Sequence, residues 1–144
     1  MTRVRRLRAG ILLLALTLLA AGCTYYPTIR DVGGVRLRPD QGRVVRGATD
    51  GEAALYLDLE SSGMYGDLLT GAQAPFARQA SLIGPQGAPV DIIEIPPVTV
   101  FRFREDGPRI ALSGLTRTLT PGEVVIVTLQ FAKSGPIGVI SVVQ

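Results

Sequence analysis

Two stretches of regular alternation, AALYLDLE at 53–60 and EVVIVTLQF at 123–131, restrict the fold of this chain more than any other feature. In the first, Ala53, Leu55, Leu57 and Leu59 share one face, and Tyr56, Asp58 and Glu60 share the other. In the second, Val125, Val127, Leu129 and Phe131 oppose Ile126, Thr128 and Gln130. A period of two is that of a half-buried strand and cannot line one side of a helix. Shorter strand candidates are Val35–Arg38, Asp67–Leu69, Arg78–Ile83, Val90–Ile95, Val98–Arg104, Arg109–Leu112 and Val139–Val143. Between them lie turn residues: Gly33-Gly34, Ser62-Gly63, Gly84-Pro85-Gln86-Gly87, Asp106-Gly107, Pro121-Gly122 and Ser134-Gly135-Pro136. Many short strands separated by Gly and Pro predict an all-β, antiparallel Greek-key β-sandwich. Leu55, Leu57, Val125, Val127, Leu129 and Phe131 are expected to face one another across its two sheets.

The first 22 residues have a different character. Arg3, Arg5, Arg6 and Arg8 precede an apolar run from Ile11 to Leu19, and Ala20, Ala21 and Gly22 follow. This is the layout of an export signal, and the run is too short for the roughly 20 residues that cross a bilayer. Leu19-Ala20-Ala21-Gly22-Cys23 resembles the lipobox of bacterial lipoproteins, with the large apolar residue one step further from the cysteine than usual. The resemblance implies that Cys23 becomes a lipidated mature N-terminus; an ordinary secretory signal cut beside an unmodified cysteine is the alternative. The expected organisation is a signal peptide at 1–22, a lipidated tether at 23–32 and one domain at 33–144, held at a membrane of the bacterial cell envelope, on its periplasmic or outer face. Tyr25, Tyr26 and Pro27 stand beside the lipid, either at headgroup level or as plain tether.

Removing the signal changes what the charge means. The chain has 15 basic and 12 acidic residues. Taking away the four signal arginines leaves 11 basic against the same 12 acidic, a net of minus one. Nucleic-acid binding, which needs a concentrated positive face, loses its support. Cys23 is the single cysteine, so the domain has no disulfide and rests on packing. The chain has no histidine, the commonest acid–base group at neutral pH. Asp58 with Glu60, and Glu105 with Asp106, read as solvated charge, and no G-x-S-x-G, P-loop or dinucleotide fingerprint occurs. A non-catalytic protein is expected.

Segments 51–69 and 107–142 resemble the PCu(A)C-type periplasmic copper chaperones, which are small cupredoxin-like sandwiches. Gly107, Gly114-Leu115, Gly122, Thr128-Leu129, Phe131 and Gly135 follow that family's order, and Val35-Arg36-Leu37-Arg38-Pro39 is similar to its opening strand. The resemblance implies a Cu(I) site of imidazole and thioether ligands, which suit this soft ion. Its His-x-Met falls on Arg109 and Ala111, its first histidine and nearby methionine fall near Leu82 to Gly84, and no methionine lies between Gly84 and Ile95. Met64 is the only methionine of the mature chain and stands apart from these positions. The expectation is a chaperone-like domain without cofactor or family copper site, acting as a binding or accessory protein with an envelope protein partner. The alternative is a copper carrier with a non-standard or shared site.

Arg102, Arg104 and Arg109 lie close together in sequence. A hairpin through Glu105-Asp106-Gly107-Pro108 would set Arg104 opposite Arg109, with Phe103 beside Ile110 and Phe101 beside Leu112 on the core face. The arginines would then form either a solvated outer face or a positive contact surface for an acidic partner or anionic headgroups.

Overall fold

The computed structural model describes residues 30–144. Cys23, the signal and most of the expected tether lie outside the described residues. The last residues of that tether, Arg30–Val32, form the first strand, β1. β1 turns through Gly33-Gly34 into β2, Val35–Arg46, with Val32 opposite Val35. Both glycines have positive φ, 58° and 81°, as a two-residue hairpin turn requires and a side chain resists.

The remaining strands are β3 (Glu52–Ser61), β4 (Asp67–Gln73), β5 (Ala77–Ile83), β6 (Pro89–Val90), β7 (Ile93–Ile95), β8 (Thr99–Phe103), β9 (Arg109–Leu115), β10 (Val124–Phe131) and β11 (Gly135–Val143). The architecture is all-β, as the alternation predicts. No helix among the described residues is long and apolar enough to cross a membrane.

Two features depart from a plain antiparallel sandwich. The strands follow one hydrogen-bonded path, β6-β5-β9-β3-β2-β11-β10-β4-β7, with β1 on β2 and β8 on β3. The two halves are therefore joined through β2, and β11 runs parallel to β2 rather than antiparallel. The direction of β11 is imposed by its hairpin with β10, so where it docks on β2 the orientation is already decided. In the stretch that meets β11, the pairing of β2 with β3 carries a register shift between Asp40 and Arg43. At that shift a side chain on Gly42 would stand 2.5 Å from the Ile140 carbonyl oxygen. Only glycine allows so close an approach.

The predicted core holds. Leu55, Leu57, Val125, Val127, Leu129 and Phe131 are all buried, and Leu37, Phe103, Ile110, Leu112 and Ile137 complete the same cluster. The expected 90–95 strand divides instead: β6 pairs with β5, and β7 pairs with β4 on the other half. Asp91 and Ile92, exposed between them, carry the chain across.

The 98–112 region corrects the sequence reading. β8 and β9 do not form a hairpin. Both lie antiparallel to β3, β8 along Leu57–Ser61 and β9 along Glu52–Leu55. Arg104–Pro108 is an outward loop between two collinear strands, closed where the Arg104 N–H donates to the Pro108 carbonyl at 2.9 Å. Phe103 and Ile110 do point into the core, but each is paired with a leucine of β3, Leu57 and Leu55 respectively. Alternation specifies which way side chains point; it says nothing about which strand lies alongside.

One carboxylate is buried. Asp67, 2% exposed, opens β4 and reaches the β10–β11 turn. Its Oδ1 accepts the Leu68 N–H at 2.8 Å and the Lys133 N–H at 2.9 Å. Its Oδ2 accepts the Ser134 N–H at 2.8 Å. Burial pushes the carboxyl pKa up, but the nearby Ser134 hydroxyl and the backbone N–H groups of Lys133, Ser134 and Leu68 outweigh it and hold the group below the ordinary aspartate value.

Candidate functional site

The outer face of β5, β9, β3 and β8 carries most of the residues singled out from the sequence. β5 and β9 are neighbours, and their register sets Ile83 against Arg109 and Ser81 against Ala111. Thus the two stretches at which the resemblance placed metal ligands, far apart in sequence, meet on adjacent strands. The side chains there are a guanidinium, a methyl, a hydroxyl and a branched alkyl group. None is a thioether, thiolate or imidazole, so they do not fit Cu(I). Among the described residues no group of three or more His, Cys, Asp or Glu is placed to hold a metal. Met64 lies in the loop before β4, 79% exposed.

Tyr56 is the residue that alternation alone misjudges. It points to the outer face yet is 7% exposed. In the β3 register it falls between Leu57, opposite Phe103, and Leu55, opposite Ile110, where the 104–108 loop leaves the sheet. The Arg43 guanidinium covers the other side, 5.4 Å from the ring centroid. Burial raises the Tyr56 phenol above its ordinary value, the Glu105 carboxylate adds to this, and Arg109 and Arg43 pull the other way. A shallow depression of about 360 Å³ opens here between Ala54, Tyr56, Glu105, Arg109 and Ala111.

The three arginines share this face but differ in state. Arg104 pairs with Asp58 at 2.5 Å and donates to the Phe103 carbonyl at 3.0 Å. Arg109 donates to the carbonyls of Glu105 at 3.3 Å and Gly107 at 3.4 Å, bracing the loop. Arg102 is exposed and opposite Asp58 in the β3 register, with no ion pair among the described residues. Along the same face Arg38 pairs with Glu60 at 2.7 Å. The surface is one of interleaved charge rather than a pure arginine patch, because β3 supplies Asp58 and Glu60 between the cations. The carboxylate pairs read from sequence remain apart from any buried acid–base arrangement: Asp58 and Glu60 each hold an arginine, and Glu105 and Asp106 are exposed in the loop. A wider cleft of about 690 Å³ adjoins the Tyr56 depression across Arg46 and Glu52, lined also by Asp50, Gly51, Arg117 and Gln144. Its Arg117 is held by Glu123 at 2.9 Å.

This geometry is that of a cupredoxin-like β fold, the fold of solved PCuAC domains. The copper-bound PCuAC domain of PmoF2 is similar in fold, with TM-score 0.68, 20% identity, and coverage of 81% of this chain and 97% of that one. The apo PCuAC domain of PmoF1 matches with TM-score 0.70 and 19% identity, over 81% of this chain and 98% of that one. The Cu(I) form of DR1885 from Deinococcus radiodurans matches with TM-score 0.63 and 23% identity, over 86% of this chain and 83% of that one. No curated protein matches. The chain belongs to the LpqE-like lipoprotein family, whose pattern it matches over residues 28–143.

Proposed function

We propose that this protein is an exported, lipid-anchored member of the PCuAC-like group that acts as a non-catalytic binding or accessory protein and carries no copper at the family position. The observation behind this reading is the β5–β9 register: the strands that should bear ligands meet, but with Ile83, Ser81, Arg109 and Ala111, and Arg109 is engaged in bracing a loop. Lipid at Cys23 is supported by the signal layout and by the lipoprotein family to which the chain belongs. The outer face of β8 and β9, with the exposed Arg102 as its grip and Arg109 bracing the loop beside it, is the contact surface for an acidic envelope protein. Arg104, already tied to Asp58, shapes this face rather than gripping a partner.

The copper-bound relatives favour the alternative of a copper carrier, which here would need ligands from outside this domain. Competition titration with Cu(I) against a chromogenic chelator decides between them. Affinity no greater than one exposed thioether supplies is expected, from Met64 alone; chelator-competitive binding characteristic of several ligands would overturn the proposal.

A further inference from the structure

Exposed apolar side chains gather where β1 enters the domain. Val32 is 40% exposed, Tyr65 57%, Val98 78% and Met64 79%. They belong to three separate segments that pack together. The Tyr65 N–H donates to the Gly34 carbonyl at 3.2 Å, and a side chain on Gly34 would meet the Tyr65 ring at 3.0 Å. A side chain on Gly63 would strike the Gly34 carbonyl oxygen, and one on Gly66 the Ile95 carbonyl oxygen and Pro97. The Ser62–Gly66 loop is therefore wedged between the β1–β2 turn and the Pro96-Pro97-Val98 link. Val98 itself has φ 52°. A β-branched residue in this left-handed region is strained, and the strain here presents an isopropyl group to solvent.

The chain that leads to this tip is short. Cys23 precedes Arg30 by seven residues, a reach of at most about 25 Å when fully extended. A domain of this size has a radius of gyration of about 13 Å, so the tether holds it within roughly one diameter of its anchor. β1 then runs directly into the Gly33-Gly34 turn. The tip also has the composition of an interfacial contact: a tyrosine with ring and hydroxyl to satisfy, a methionine, valines and prolines. At its rim the Lys133 ammonium, bound to the Gly66 carbonyl at 3.0 Å, offers a cation to lipid phosphate, while Asp31 and Glu94 are exposed on the flanking strands.

We infer that the tip formed by Val32, Met64, Tyr65 and Val98 seats in the headgroup layer of the bilayer that holds the lipid on Cys23. This rests on the anchoring reading above. It leaves the sheet faces, including Arg102 and Arg109, directed to the side and free for a protein partner.

The chain has no tryptophan, so Met64→Trp in the full-length protein gives a single reporter, and Ile140→Trp, on the outer face of β11, gives a control. Each protein, purified from membranes, is reconstituted into phosphatidylcholine–phosphatidylglycerol vesicles containing brominated lipid, and the N-terminal peptide is weighed by mass spectrometry. The expected result is a blue-shifted emission at position 64 that bromine quenches at least about twofold more than emission at position 140. Tyr65→Trp repeats the measurement should the first variant fold poorly. Equal quenching at the two positions, or none at 64, overturns the inference. A lipidated Cys23 with an unquenched tip refutes the tip while keeping the anchor; a bare Cys23 with a quenched tip does the reverse.

Discussion

Replacing Asp67 tests how β4 is held to the turn that follows its neighbour β10. Its carboxylate accepts backbone N–H groups from Leu68, Lys133 and Ser134 at 2.8, 2.9 and 2.8 Å, so β4 is tied to the β10–β11 turn through one buried charge. Hydrogen bonds to charged groups contribute about 1.5–3 kcal/mol each. An asparagine in this place can keep one oxygen for Leu68 and Lys133, but its amide NH₂ then faces the Ser134 N–H, donor against donor. The Ser134 bond is lost and the other two lose their charge assistance, so Asp67→Asn should cost about 2–4 kcal/mol. Asp67→Ala removes all three acceptor contacts and should cost about 3–5 kcal/mol, in the range of single changes that break a buried network. The pH dependence has a definite sign. Because the folded pKa lies below the ordinary value of 3.8, the charged form is the one the fold favours. Its stabilisation is complete above the unfolded value and is lost as pH falls below about 4 through the folded pKa. Urea unfolding followed by circular dichroism from about pH 2.5 to about pH 7 measures both effects. Toward the acid end wild type should lose stability more steeply than Asp67→Asn. A variant within about 0.5 kcal/mol of wild type at neutral pH, the scatter of substitutions that touch nothing important, would refute the argument, as would a pH profile parallel to that of wild type.

Leu57 is fully buried while Tyr56 lies under a loop and an arginine, so Leu57→Ala should cost about 2–5 kcal/mol and Tyr56→Phe much less, by the same unfolding assay; the reverse order would mean that Tyr56 and not the leucine ladder anchors β3. The Tyr56 phenol should ionise above the ordinary value of 10.0, seen as the difference in ultraviolet absorbance titration between wild type and Tyr56→Phe, and Glu105→Gln should lower that midpoint by removing the second cause of the shift. Cys23→Ala should leave an uncleaved precursor without lipid label, and processing like that of wild type would show Cys23 to be a bystander.

The directions of the core side chains are legible in the sequence itself, because the pleat of a strand is local. Leu55 and Leu57 point inward whatever lies beside them, and so do Val125, Val127, Leu129 and Phe131. The glycine pairs and Gly-Pro clusters mark the turns for a similar reason, since positive φ or a missing N–H is a property of the residue itself. The stretches that the family resemblance matched to metal ligands meet on neighbouring strands, at Ile83 with Arg109, a pairing that alternation by itself does not specify.

Which strand lies against which was decided only in three dimensions. The Glu105-Asp106-Gly107-Pro108 sequence has hairpin chemistry, and its ends do close on each other, yet the chain continues along β3 instead of folding back. β3 is long enough to take β8 and β9 end to end, and burying Phe103 and Ile110 against its leucines satisfies the same inward pattern a hairpin would have satisfied. Burial of Tyr56 follows from that choice, since it sets the ring where β8 ends and β9 begins along β3, beside Glu105 and Arg109. The pairing of Arg104 with Asp58 follows as well. The parallel contact of β11 with β2 and the gathering of Val32, Met64, Tyr65 and Val98 are likewise products of closure, where segments distant in sequence compete for the same edge or end of the sheet. Alternation is a two-residue property and specifies a face; choice of neighbour depends on the whole chain's packing and on the loop entropy of reaching it.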